Sequence, residues 1–192
     1  MLPLCLVLAI SVGATSERDA QPTEPWDLAQ LMTAMAGVKE TRDTFTESKA
    51  MAVLTAPLEL SGTLAYMRPN HIEKHVRTPY EEHLVVEGEM LTLTNKDGQK
   101  RIALRKYPMI RAFVESIRAT LAGDAGALRR FYHVTLAGER RQWVLTLKPL
   151  EPQLAEYVRF IKVAGMENRL TRIDIQEAGG DSSVMMIQGD QS

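Results

Sequence analysis

Two histidines and a glutamate, His71, Glu73 and His75, stand at alternate positions within MRPNHIEKHV, Met67–Val76. Side chains of these types can hold a zinc ion and activate a water molecule. On a helix His71 and His75 would share a face, but Glu73 would point away. The glutamate is also beside neither histidine, so neither order of the helical zinc-protease motif is matched. Pro69-Asn70 signals a turn, which favours a strand after it. There the three would share one face at roughly 6–7 Å between successive positions, loose for ligands and ordinary for a wet surface. Ile72 and Val76 take the opposite parity and read as core-facing. The polar set is therefore expected to point outward, with His71 still in the turn, and no metal or cofactor is expected.

Lys74 shares the parity of Ile72 and Val76, which places an ammonium on the apolar side. An unpaired charge there must either reach the rim along its four-carbon stem or meet an anion. Arg68 continues the parity of Leu58, Leu60, Leu64 and Tyr66 and ends their strand on the same side, where its charge needs acceptors. His133 stands alone, and there is no nucleophile elbow, phosphate loop or dinucleotide-binding glycine pattern. Nothing in these residues argues for an enzyme.

The elements that must position these side chains follow from periodicity. Leu28, Leu31, Met32 and Met35 form a helical stripe, with Pro25 to open the helix and Gly37 to close it. From Thr41 to Lys106 the period is two, broken by turn signals at RPN, RTPY, EGE and NKDGQ; Ile102 and Leu104 still alternate with Arg101 and Arg105. YPMIRAFVESIRATLAG then returns to helical spacing, with Ile110, Phe113, Val114, Ile117 and Leu121 on one side and Arg111, Glu115 and Arg118 on the other. Pro108 suits its first turn and Gly123 its C-terminal cap; a short helix capped by Asp124 follows. Strands resume to the end. The expected fold is α+β: a strongly curved antiparallel sheet of about ten strands, with amphipathic helices over its apolar concave face.

The bulk properties narrow the function classes. The 192 residues suit one domain, taken as 25–192. Lys+Arg number 23 against Asp+Glu 24, too balanced for a nucleic-acid partner. Residues 1–16, MLPLCLVLAISVGATS, are uncharged, apolar from Leu2 to Val12, and end in small residues, as a cleaved signal peptide does. The single cysteine, Cys5, lies within it, so an exported mature chain would hold together without disulfides. The expected location is the periplasm.

From Gly62 onward, GTLAYMRPNHIEKHVRTPYEEHLVVEGEMLTLTN resembles the signature region of the periplasmic outer-membrane lipoprotein carriers, the LolA family, through Gly62, Arg68, Pro69, Asn70, Pro79, Leu84, Val85, Gly88 and Leu91. The resemblance implies a half-open barrel lidded by helices, and a carrier, likewise a monomer, that ferries lipid-modified proteins from an inner-membrane donor complex to an outer-membrane acceptor. It further implies that Arg68 hydrogen-bonds the lid helices in the closed state. Cargo-facing residues would be Leu60, Leu64, Tyr66, Ile72, Lys74 and Val76 from the sheet, with Ile110, Phe113 and Ile117 from the lid. Where these carriers tend to hold aromatic rings, this chain has Ala65, Ile72, Lys74 and Thr92. That departure points to a lipid cargo other than a lipoprotein, such as a glycolipid or polyene-type lipid. Lys74, with Arg68 nearby, would then receive an acidic head group. The same fold also serves as the ligand-sensing half of envelope regulators, which is the competing reading; a hydrolase ranks third.

Overall fold

The computed structural model describes residues 26–189. The expected signal peptide, the linker after it and Pro25 lie outside the described residues. Within the described residues eleven antiparallel strands form one unclosed, curved sheet. In chain order they are β1 (Glu40–Ala50), β2 (Leu58–Met67), β3 (His71–Thr78), β4 (Glu82–Glu87), β5 (Met90–Asn95) and β6 (Gly98–Ala103), then β7 (Tyr132–Glu139), β8 (Gln142–Pro149), β9 (Val158–Met166), β10 (Arg169–Glu177) and β11 (Ser182–Gly189). Their order in space is β6-β5-β4-β3-β2-β1-β11-β10-β9-β8-β7. The two meanders are thus joined at the centre by β1 and β11, and β6 and β7 are the free edges.

Among the described residues four helices accompany the sheet: α1 (Leu28–Ala36), α2 (Pro108–Ala122), α3 (Ala125–Phe131) and α4 (Pro152–Ala155). A reciprocal capping box opens α1, where Gln30 N–H donates to the Asp27 carboxylate at 2.8 Å and the Gln30 side chain accepts from Asp27 N–H at 3.2 Å. Leu31, Met32 and Met35 are its buried stripe. Pro108 is the first residue of α2, and Gly123 closes it in the left-handed region at φ 72°. A Cβ on Gly123 would sit 2.1 Å from the Met32 carbonyl oxygen, so the ends of α1 and α2 meet closely here. Asp124 caps α3 by accepting from Ala127 N–H at 2.9 Å.

Three details depart from the sequence reading. Leu104 is not a strand residue but begins a 3-10 turn, Leu104–Lys106, that carries the chain from the sheet into α2. Its side chain is fully buried with Val86, Leu91 and Val114, which explains its apolar spacing without a strand. The helix α4 was not foreseen; Pro152 starts it and Leu154 buries it. Finally, the β2–β3 loop is Arg68–Asn70, with Met67 opposite His71 as the last pair. His71 therefore opens β3 instead of lying in the turn. Arg68 leaves this ladder because its N–H is bonded to Lys39 O at 2.9 Å, on the β1 side.

Candidate functional site

The inner face of the sheet and α2 enclose a cavity of about 810 Å³. From β2 to β5 its wall is Leu64, Ile72, Leu84, Val86 and Leu91, and α2 roofs it with Ile110, Phe113, Val114, Ile117 and Leu121. The sheet half follows from alternation on paired strands, since Tyr66 faces Ile72, Ile72 faces Val86 and Val86 faces Leu91. The roof follows from the helical period of α2. All five apolar residues expected on one side of that helix line the cavity.

Of the cargo-facing set drawn from the sequence, Leu64, Tyr66, Ile72, Lys74, Ile110, Phe113 and Ile117 line this space. Leu60 and Val76 do not; they are 4% and 1% exposed within the main core. The cause at Val76 is Gly62 opposite it. A Cβ on Gly62 would lie 1.8 Å from His75 O and 3.0 Å from Val76 Cα, so only glycine lets β2 and β3 close together at this bulge. Of the four positions where the carriers tend to hold rings, Ala65, Ile72 and Lys74 border the cavity. Thr92 takes the parity opposite to that of the cavity residue Leu91.

Arg68 is placed apart from Lys74. Its guanidinium donates to Ala36 O at 2.8 Å and Ala122 O at 2.6 Å. These are the last residues of α1 and α2, where helix carbonyls lack intrahelical partners and carry the negative end of each dipole. One exposed side chain thus ties two helix ends to the tip of β2. The partner of Lys74 is four residues back along that strand, at Leu64, or about 13 Å by the strand rise. The expectation that both cations converge on one head group does not fit this placement.

Lys74 meets an anion within the protein. Its Nζ donates to the carboxylate of Glu47 on β1, and the same carboxylate accepts from Ser183 Oγ at 2.5 Å, with Lys49 Nζ at 3.6 Å. Glu47 is 3% exposed, the only charged residue buried to that degree among the described residues. Burial raises its carboxyl, but Lys74, Ser183 and Lys49 together outweigh that and hold it below its ordinary value. Burial pulls the Lys74 ammonium below its ordinary value, and Glu47 only partly offsets this. The direction that governs the pair is the lowered carboxyl, since an ionised buried Glu47 requires its cation. Between Leu60 and Leu64 the inward position of β2 is Gly62, so no side chain of β2 separates Lys74 from β1. The Lys74 ammonium also lies 4.9 Å from the centre of the Phe45 ring, whose residue is paired with Gly62.

On the outer face of β3 and β4 the histidines contact carboxylates. His71 contacts Glu87 at 3.2 Å and Glu73 at 3.5 Å, His83 contacts Glu73 at 2.8 Å, and His75 contacts Glu81 at 2.5 Å. Among the described residues no group of three or more His, Asp or Glu side chains is arranged to hold a metal ion.

Sequence reasoning missed two positions. Glu47 was read only as part of a strand, and nothing local marks it as the partner of a lysine 27 residues on. Arg118 was assigned to the wet side of α2; it donates to Gly88 O at 2.5 Å and pairs with Glu115 at 2.9 Å, fixing the roof to the β4–β5 turn. The glycine at 88 was a visible signal for that turn, but its acceptor role was not.

A comparison with curated proteins finds no match. Among solved structures, a LolA superfamily protein from Nitrosomonas europaea is 11% identical, with a TM-score of 0.46 over 83% of this chain and 90% of that one. A putative outer membrane lipoprotein-sorting protein domain from Vibrio parahaemolyticus is 8% identical, with a TM-score of 0.43 over 86% and 92%. The MucA/MucB complex of Pseudomonas aeruginosa gives 11% identity and a TM-score of 0.45 over 83% of this chain, but the match covers only 53% of that chain. The sequence pattern of the outer membrane lipoprotein carrier protein LolA-like family matches residues 20–191, nearly the whole length, and the chain belongs to that family.

Proposed function

We propose that this protein is an extracytoplasmic carrier. It takes up a lipid or lipid-modified protein, shelters the apolar chains in its cavity, and moves the cargo from an inner-membrane donor toward an outer-membrane acceptor. The observation that carries this reading is the cavity of about 810 Å³ between an apolar sheet face and a helix roof. It falls in the size range of small-molecule sites. An acyl chain in water costs about 0.8 kcal/mol per methylene, so crossing an aqueous compartment requires such a host. Residues 1–16 act as the export signal in this reading, and 25–192 form the single carrier domain.

Arg68 serves as the latch. Its two bonds tie the end of α2, the roof of the cavity, to the end of α1, and cargo entry would break them. Removing the latch favours the open, loaded form, so Arg68→Leu should take up cargo and fail to release it to an acceptor. Native mass spectrometry of protein purified gently from its own compartment, followed by lipid extraction, is the direct test. A reproducible lipid mass supports the carrier. Protein that is repeatedly empty, and an Arg68→Leu variant with unchanged transfer, would remove this reading; co-purification of a protein partner without lipid would favour the sensing role.

A further inference from the structure

The cavity wall is not uniformly apolar. Lys74 has three N–H donors, of which the Glu47 carboxylate takes one. Its side chain is 22% exposed, facing the cavity it lines. Tyr66, also in the wall, is 2% exposed, and its hydroxyl has no hydrogen-bond partner among the described residues. A buried hydroxyl without a partner is costly; this one is sealed from solvent, so an acceptor reaches it only when cargo entry shifts the side chains that cover it. Because Tyr66 pairs with Ile72, it stands diagonally across from Lys74, roughly 7–8 Å away for such positions. Lys74 therefore has donor capacity open to the apolar pit lined by Leu64, Ile72 and Leu84, with the Tyr66 hydroxyl sealed behind the wall.

Charge decides what kind of acceptor fits. Lys74 and Glu47 compensate each other, and the remaining lining carries Asp43, Glu82, Glu177 and Asp181, with Glu73 at its border, against Lys49 and Arg169. A carboxylate or phosphate would enter a wall of net negative charge. A carbonyl accepts the same hydrogen bonds without that repulsion. We propose that Lys74 and Tyr66 form a donor subsite for uncharged carbonyl groups, the ester or amide links that join acyl chains to the rest of the cargo. This rests on the carrier reading and narrows it: the cavity selects acylated molecules over free fatty acids or bare hydrocarbons, and Glu47 sets that preference by neutralising Lys74.

The test compares methyl dodecanoate, dodecane and dodecanoate at neutral pH in displacing a fluorescent apolar dye from the full chain. The ester should bind about tenfold more tightly than the alkane, the scale of a hydrogen bond from a charged donor, and more tightly than the anion. Tyr66→Phe, which removes only an unpartnered hydroxyl, should narrow the ester–alkane gap several-fold by weakening the ester. The double variant Glu47→Leu/Lys74→Met should do the same. Equal binding of ester and alkane, tighter binding of dodecanoate, or a gap that survives in both variants overturns the subsite while leaving the carrier intact. If none of the three displaces the dye, the carrier reading fails and the subsite with it.

Discussion

Glu73 and Lys74 are neighbours on β3, and each contacts side chains able to carry the opposite charge, yet their surroundings share almost nothing. Glu73 lies on the outer face with His71 and His83, its side chain 30% exposed, where water and salt screen every contact. Lys74 turns inward to a carboxylate that is 4% exposed. An exposed pair of this kind contributes about 0–1 kcal/mol. The inner pair contributes little net stability either, because desolvation offsets its attraction, but breaking it strands a buried charge. One residue of alternation separates a face tolerant of change from one that is not.

Lys74→Met should therefore be the most damaging substitution on this strand, costing up to about 3–5 kcal/mol, because the buried Glu47 keeps only Ser183 and the more distant, partly exposed Lys49 at 3.6 Å. Chemical denaturation measures it, and Glu47→Leu/Lys74→Met should recover most of the loss. A single variant as stable as wild type would erase the contrast between the faces. Gly62→Ala attacks the register that keeps the faces apart. A Cβ 1.8 Å from His75 O must push β3 away, at about 2–3 kcal/mol as overpacking, with the inner pair weakened as well.

Acid sharpens the comparison without mutation. Glu47 and Glu73 both titrate below their ordinary value of 4.5 in the folded chain. Glu73 is raised by burial, but His83 and His71 outweigh it. A depressed carboxyl contributes stability that is fully present above its unfolded pKa and lost as pH falls through the folded one. Denaturation midpoints should thus decline below about pH 4.5. Lys74 stays protonated throughout and does not enter. Added salt should remove the Glu73 share and spare that of Glu47; a decline abolished by salt would show that the inner pair does not titrate as described. The smallest effect is expected outside: His71→Ala/His75→Ala should change stability by no more than about 0.5 kcal/mol. Zinc bound stoichiometrically by the wild type and lost in that double variant would mean that the outer face is a site after all.

Alternation alone was enough to read which side of β3 each residue faces, and the 3.6-residue period was enough to read the whole inner face of α2. Caps at Pro108, Gly123 and Asp124 were legible because each has one local cause. What stayed hidden depends on strand order. Glu47 and Lys74 meet across an intervening strand, and the gap that lets them meet is the missing side chain of Gly62. Arg68 was legible as a charge in need of acceptors, but that its acceptors are the two helix ends came from family resemblance, not from its spacing. The burial of Leu60 and Val76 in the core, away from the cavity, depends on how closely β2 and β3 approach, which a hydrophobic pattern does not encode.

The central seam has a consequence for how the molecule is made. Strand β1 pairs with β2 on one side, but its other side waits for β11, and Thr44 meets Gln188 across 144 residues of chain. Contacts this distant are closed late and slowly. Until β11 arrives, β1 presents a raw edge able to pair with another chain, and Glu47 lacks the hydroxyl of Ser183. A nascent chain would bring its donor and its roof helix into place before the last wall of the cavity exists. The capacity to hold cargo is then acquired at the final step of folding, so partly folded molecules would be poor competitors for the lipid that finished ones collect.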